Sequence, residues 1–400
     1  MTGSAGLLRP GAHRAAGVAD DAALVAAVVR VQVAWLRALA SVGAVGADDV
    51  AAVETAWHAW RVDVPAVQRE VELSGSPALP LVRALRQVAG DRLGRLVHRG
   101  LTSQDVVDTA LMLLARDALV RVRSDLTETA AALAELARAH RSTVMVGRTL
   151  TQHAVPITFG LKAARWLDGV LDGRDGVDGA RAALPAQCGG AAGTLALVAE
   201  LTADPVAAGR AFAAELGLRW PGRPWHTARA PVTRTGDALV AVCDALGVLA
   251  GDVALLSRPE IGEVREGAVP GRGGSSTMPQ KRNPVLSVLV RSAALQAPLL
   301  GAQLHLAAAQ ALDERPDGAW HSEWPALRGL LELTVTAASQ AAELAAGLEV
   351  DGPAMQARAR GAAADLLAER GRPGSPADYL GAASEFVDAV LRRAAGDRDD

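Results

Sequence analysis

No proline interrupts the chain between Pro80 and Pro156, between Pro231 and Pro259, or between Pro325 and Pro353. Proline seldom survives in a helix interior, because its ring removes an amide donor and collides with the preceding turn. Leucine, valine and alanine recur at helical spacing almost throughout, while alternating β-branched runs are scarce, which predicts an all-α chain. The first gap is the most informative. Thr102-Ser103-Gln104-Asp105 reads as a helix start with an acidic partner three residues on. Leu111, Leu114, Ala118, Val122, Leu126 and Leu133 then supply one apolar stripe towards His140. At 1.5 Å per residue that helix spans on the order of 50 Å, several times the globular average. Such lengths belong to extended bundles.

Three parts follow from the breaks. Residues 1–100 form an N-terminal helical domain broken at Pro65, Pro77 and Pro80, and residues 101–348 form a central long-helix bundle. Residues 349–400 form a short C-terminal helical domain after Asp351-Gly352-Pro353, fraying from Gly396 to Asp400. Half of the residues are hydrophobic and 21% are charged, which suits a sizeable core and not a disordered chain. A net charge of −3 excludes the basic footprint of a nucleic-acid or polybasic membrane partner. Two cysteines, Cys188 and Cys243, make neither a disulfide framework nor a Cys-rich zinc site, which fits a reducing cytoplasm. The first twenty residues lack the apolar run of a signal peptide. Residues 292–312 carry no formal charge and approach the ~20 residues that cross a bilayer. Gln296, Gln303, His305, Gln310 and Pro298 lie along them, so the expectation is a buried helix of a soluble, cytoplasmic protein.

Chemistry concentrates in Gly271-Arg272-Gly273-Gly274-Ser275-Ser276-Thr277-Met278-Pro279-Gln280-Lys281-Arg282-Asn283-Pro284. Three glycines within four residues free the backbone amides to face an anion. Of 41 basic residues only Lys162 and Lys281 are lysine, and one of them falls here. An ammonium is a compact point charge with rotatable donors, which a planar guanidinium does not copy. The pattern is neither a P-loop nor a hydrolase nucleophile elbow. The histidines show no metal-like grouping, and no residue set calls for a metal or an organic cofactor.

The stretch GSSTMPQKRNP resembles the signature loop of the fumarase/aspartase superfamily. His98-Arg99-Gly100-Leu101-Thr102-Ser103-Gln104-Asp105 and Gly147-Arg148-Thr149-Leu150-Thr151-Gln152-His153-Ala154 resemble its other two active-site segments, in the expected order. Together the similarity covers roughly residues 95–295. It implies a homotetramer whose core is the central bundle, with each active site assembled from three subunits and a small polycarboxylate as substrate. The text from Gly147 to Lys162 is similar to both the adenylosuccinate lyase and the 3-carboxy-cis,cis-muconate cycloisomerase branches. The lyases place a histidine where this chain has Leu150. Gln104 within TSQD, the run Gly189–Ala196 and Pro224-Trp225-His226-Thr227 resemble the bacterial cycloisomerases, which act in protocatechuate (β-ketoadipate) catabolism. Ala228 and Ala230 depart from that pattern, where glutamine and aspartate are more usual.

The cycloisomerase resemblance implies a lactonisation of a tricarboxylate diene to 4-carboxymuconolactone, the reverse of a β-elimination. Both directions pass through an enolate-like aci-carboxylate that must be stabilised. By the same resemblance Ser275 transfers the proton, its oxygen supported by the amides of Gly273 and Gly274 and by Lys281. Lys281 and Asn283 hold carboxylates, with Ser276 as a further anion contact and Arg282 in a structural ion pair. Thr102, Ser103 and Gln104 form a carboxylate site at a helix N-terminus. Thr149 and Gln152 contact substrate; His153, the histidine of that segment, is an acid, a carboxylate donor or a buried polar residue bonded to a carbonyl, and His98 opens the first segment beside the site. His226 is expected to pack and not to react. A fumarate-releasing lyase of the adenylosuccinate lyase kind predicts a histidine at position 150, where Leu150 stands, and an inactive structural tetramer is opposed by the intact Ser275, Lys281 and Asn283.

Overall fold

The computed structural model describes residues 6–58 and 60–396. Four helices come first: α1 (Asp21–Ser41), α2 (Ala47–His58), α3 (Val64–Ser74) and α4 (Ala78–Gly94). Next is α5 (Ser103–Ala139), which begins and ends where the capping signal and apolar stripe predict. The hairpin β1 (Val144–Thr149) and β2 (Gln152–Thr158) precedes α6 (Phe159–Ala182), α7 (Ala196–Ala199), α8 (Pro205–Leu216) and α9 (Ala230–Leu256). Strand β3 (Val264–Glu266), α10 (Val285–Ala308), α11 (Gly318–Ala346), β4 (Leu348–Val350), α12 (Gly352–Gly361), α13 (Ala363–Leu366) and α14 (Ala383–Ala395) complete the order. The chain is helical as predicted, with two small antiparallel sheets among the described residues that the helical periodicity did not foretell. Prolines are also less disruptive than expected. Pro298 lies inside α10 and Pro325 inside α11, each a lost backbone bond tolerated in a long helix. The fraying expected after Gly396 falls outside the described residues.

Two compact units emerge from the packing, and the division cuts α5, α6, α9, α10 and α11. In the first unit (1–120, 178–237 and 299–332), α1 packs on α8, where Trp35 meets Phe212 edge-on at 5.5 Å. Its core also holds an ion cluster. Arg229, fully buried, reaches Asp108 at 2.7 and 2.9 Å and Glu323 at 2.6 and 3.0 Å, and stacks 4.8 Å from the centre of the Trp225 ring. Trp320 Nε1 donates to Asp108 at 2.9 Å.

In the second unit (121–177, 238–298 and 333–400), α12 packs on β1 and α13 on β2, with Val146, Ala359 and Leu366 buried together. Helix α14 is held to α6 by Arg393, which reaches Asp168, Asp172 and Asp175 at 2.6, 2.7 and 3.0 Å. Lys162 pairs with Asp252 at 3.1 Å, and Trp166 Nε1 donates to the same carboxylate at 2.8 Å.

Three helices, α1, α9 and α10, have the length and apolarity to cross a membrane, but these are properties of composition only. On α10 the exposed residues Val288, Ser292, Leu295, Leu299, Ala302 and Leu306 repeat at alternating steps of four and three. That alternation is the spacing of a coiled-coil seam, and Arg291, Gln296 and His305 are exposed on the same helix.

Removing one partner from a buried charge cluster strands the others in a medium that cannot solvate them. Arg229→Met should therefore lower the free energy of unfolding by about 3–5 kcal/mol. Urea denaturation measures this, and a loss under about 1 kcal/mol would show that the cluster is not dry.

Candidate active site

The first segment occupies the start of α5. Asp105, at the third position of the helix, is fully buried and saturated. Its Oδ2 accepts the amides of Thr102 and Gly190, and its Oδ1 accepts the amide of Gly189 and pairs with His226 Nε2, all at 2.9 Å. Burial raises the Asp105 carboxyl pKa, while His226 and the Thr102 and Gly190 amides pull it down. Glycine is required at 189, where a β-carbon would lie 2.7 Å from His226 Cε1. Gln104 Nε2 donates to the His226 carbonyl at 2.8 Å. His226 is thus buried, with Nδ1 unpartnered. Thr102 is buried and Ser103 half-buried at the helix mouth. His98, also half-buried, stands in the link from α4 with φ of +64° and its Nδ1 3.2 Å from Gln32 Nε2. Burial and the nearby Arg86 guanidinium hold the His98 pKa down at about 4.

The second segment is the β1–β2 hairpin. Thr149 pairs with Gln152, leaving Leu150 and Thr151 as a two-residue turn with φ of +49° and +70°. Both positive angles are those of a tight hairpin turn that glycine or asparagine usually occupies. The strain is kept by the flanking ladder and by a bulge at Gly147, where a β-carbon would meet Val155 O at 2.2 Å. Thr149, Leu150, Thr151, Gln152 and His153 are all exposed, Leu150 to 96%. His153 Nδ1 lies 3.1 Å from Asp365 of α13.

The third segment is the loop between β3 and α10. Asn283 closes its neck, donating through its amide at 2.9 Å and through Nδ2 at 3.1 Å to the Gly273 carbonyl. Gly273, at φ +71°, has no room for a β-carbon, which would sit 2.5 Å from Asn283 O. Ser275 Oγ accepts the amides of Met278 at 3.2 Å and Thr277 at 3.4 Å. Those amides, and not the expected ones of Gly273 and Gly274, donate to the serine oxygen. Ser276 and Lys281 are exposed. Arg282, expected in an ion pair, makes none among the described residues. A cavity of about 430 Å³ beside the loop is lined by Arg272, Lys281, Arg282 and Asn283, with Glu266 at its edge. Glu266 caps α10, accepting from the amides of Leu286 and Ser287 at 3.1 and 2.7 Å, so that helix end is already occupied by an anion.

The structure brings His98, Thr102, Ser103 and Gln104 together in the first unit. Thr149, Gln152, His153, Ser275, Ser276, Lys281 and Asn283 lie in the second. Within that unit no hydrogen bond among the described residues joins the hairpin tip to the serine loop. Asp105 and Gln32 were not foreseen as builders of the site. The spacing of Asp105 and Asp108 on an otherwise apolar helix face is the signal for the first; a glutamine inside the apolar α1 is the only one for the second. His98 also makes a thermodynamic prediction. A histidine with a lowered folded pKa binds fewer protons folded than unfolded between about pH 4 and 6.5, so stability falls as pH drops through that window. The slope approaches about 1.4 kcal/mol per pH unit, and His98→Gln should flatten it in urea titrations at pH 7 and pH 5.

A family model described as Lyase matches residues 16–299. A nitrosuccinate lyase from Streptomyces davaonensis is 47% identical over 359 residues, covering 88% of this chain and 76% of that protein. A 3-carboxy-cis,cis-muconate cycloisomerase from Bradyrhizobium diazoefficiens is 40% identical over 355 residues, covering 88% and 77%. The crystal structure of the 3-carboxy-cis,cis-muconate lactonizing enzyme from Pseudomonas putida superposes with a TM-score of 0.84 at 34% identity, covering 93% of this chain and 94% of that one. On the family match, these identities and the shared helical fold, the chain belongs to the lyase family of the fumarase/aspartase superfamily.

Proposed function

We propose that this enzyme catalyses β-elimination, and its reverse addition, on a small polycarboxylate whose departing group is a weakly basic oxyanion. The observation that carries this is Leu150. An amine-releasing lyase must protonate its leaving group, and the position that would supply the proton here holds an exposed aliphatic side chain on a rigid turn. A carboxylate or nitrite leaves as a stable anion and needs no such acid. Within that class, the motif text supports lactonisation of 3-carboxy-cis,cis-muconate to 4-carboxymuconolactone, a step of protocatechuate catabolism in the cytoplasm. One carboxylate oxygen forms the C–O bond to the alkene, and a proton is delivered to the carbon beside another carboxylate. In reverse the proton leaves that carbon, its electron pair enters the carboxylate, and the C–O bond breaks to release the ring carboxylate.

Ser275 Oγ is the proton carrier in this reading. The Met278 and Thr277 amides favour its alkoxide, and Lys281 adds charge as the aci-carboxylate forms. Lys281, Ser276 and Asn283 hold one carboxylate; Thr102, Ser103, Gln104 and His98 hold another at the α5 start; Thr149, Gln152 and His153 complete the third contact from the hairpin. Because the hairpin tip and serine loop are exposed and unjoined, we place the complete site between subunits of a homotetramer. The exposed seam of α10 supports helix pairing, and the three-part division at residues 100 and 348 follows the same assembly. The S. davaonensis relative, together with Ala228 and Ala230, favours a second reading, in which C–N cleavage of nitrosuccinate releases nitrite and leaves fumarate.

The test is the purified protein given 3-carboxy-cis,cis-muconate, nitrosuccinate and adenylosuccinate in turn. Loss of diene absorbance is expected with the first; nitrite and fumarate from the second alone would favour the second reading; fumarate from adenylosuccinate would sink the class. Ser275→Ala should cost about 10²–10⁴ in kcat. Gel filtration should give a tetramer, and a catalytically active monomer would contradict the shared site.

A further inference from the structure

His98 is held from α1. Gln32, fully buried, sets its side-chain amide against His98 Nδ1, and one helical turn on Trp35 Nε1 donates to the Arg99 carbonyl at 2.8 Å. Arg86 fixes the preceding residue by donating twice to Val97 O, at 3.0 and 3.2 Å. The chain therefore pins residues 97–99 from three directions and maintains a left-handed backbone at His98 that a side chain makes costly.

The pairing decides where the ring proton lies. An amide nitrogen donates only, so Nδ1 facing Gln32 Nε2 is an acceptor and the proton belongs on Nε2. Turning the amide over would set Oε1 against an Nδ1–H and leave both amide N–H groups of Gln32 unpartnered in the core. The orientation present leaves Oε1 and one N–H unpartnered, so the two orientations differ by a buried acceptor against a second buried N–H, and the lone acceptor is the smaller loss. His98 Nε2 has no partner among the described residues, yet it is not among the buried unpartnered atoms, so it reaches solvent. One ring nitrogen is occupied from inside the protein and the other is offered outward.

We propose that Gln32 is a positioning residue that fixes the His98 proton on Nε2, so that His98 offers a hydrogen-bond donor, and no basic nitrogen, to a substrate carboxylate oxygen. This deepens the proposed function and rests on its assignment of His98 to the carboxylate site. With the His98 pKa near 4, the donor is uncharged at neutral pH. An uncharged donor does not neutralise the ground-state carboxylate, and its bond strengthens as negative charge collects in the aci-carboxylate, which is where stabilisation accelerates the reaction.

Neutron crystallography of the deuterated full-length protein reads the proton directly and needs no turnover. Deuterium on His98 Nε2 is expected, and deuterium on Nδ1 overturns the proposal. Gln32→Glu sets an acceptor against Nδ1 and should draw the proton there, lowering kcat/KM by roughly 10²-fold, the order of loss when one donor to a developing oxyanion is removed. It should also add an ionisation near neutrality to the pH profile. Gln32→Met, which keeps the shape and removes the donor, should lose less and leave His98 deuterium shared between both nitrogens; a map of this variant still showing Nε2 alone would remove Gln32 from the role. Wild-type kinetics in a folded Gln32→Glu would do the same. Failure of the wild-type enzyme on every substrate offered would count against the proposed function, while the neutron maps would still decide this one.

Discussion

Two carboxylates three residues apart on α5, Asp105 and Asp108, are both fully out of water, and the first unit is organised around what neutralises them. A buried carboxylate without partners costs several kcal/mol, so each must be surrounded by donors. Asp105 is met by three amides and an imidazole, Asp108 by a guanidinium and an indole. Apart from the Thr102 amide, those donors come from the 189–190 turn, from residues 226–229 and from α11. The start of α5 is thereby fixed relative to chain segments far from it in sequence. A helix end fixed in this way keeps Thr102 and Ser103 in one place, and an anion bound there meets a preorganised set of donors.

The other half of the chemistry is built on a different physical principle. The hairpin tip and the serine loop are exposed, and both owe their shape to backbone constraint instead of burial. Leu150 and Thr151 sit in a strained turn because the β1–β2 ladder and the bulge at Gly147 leave two residues to reverse the chain. The serine loop keeps its neck closed through Asn283 and Gly273, and Ser275 is cradled by the amides that follow it. Exposed groups of this kind gain little electrostatic leverage in water, where a high dielectric weakens every interaction. They become effective only when another surface excludes the water around them. An exposed group of this kind gains from any surface that excludes water, which is the physical argument behind the proposed site between subunits.

Much of this was legible in the sequence, and unevenly so. Helix α5 announced itself because capping, apolar stripe and the lack of proline all agree over a long span, and averaging over many residues suppresses local noise. The serine loop was legible from composition, since a lone lysine among arginines beside glycines and serines has few structural explanations. The hairpin was not: Val144 to Thr158 contains Gly147 and Pro156, and its burial comes from α12 and α13, some two hundred residues later in the chain. Asp105 was read as a helix cap, correctly for its bond to Thr102, but its three other partners come from residues 189, 190 and 226, which no local pattern connects to it. Gln32 stood out only as a polar residue in an apolar helix, and its partner His98 lies 66 residues away.

The two histidines beside the α5 start show how such distant contacts set chemistry. His98 and His226 are both enclosed by the first unit, yet their partners differ in kind. An amide donor faces His98, a group that can only oppose protonation of the nitrogen it touches. A carboxylate faces His226, a group that favours a proton on the nitrogen it touches. Residue type at the motif positions therefore specifies which chemistry is available, while the buried residues behind them specify which proton state is used. A relative that shares every motif residue but differs at position 32 would present the same His98 side chain in a different chemical form.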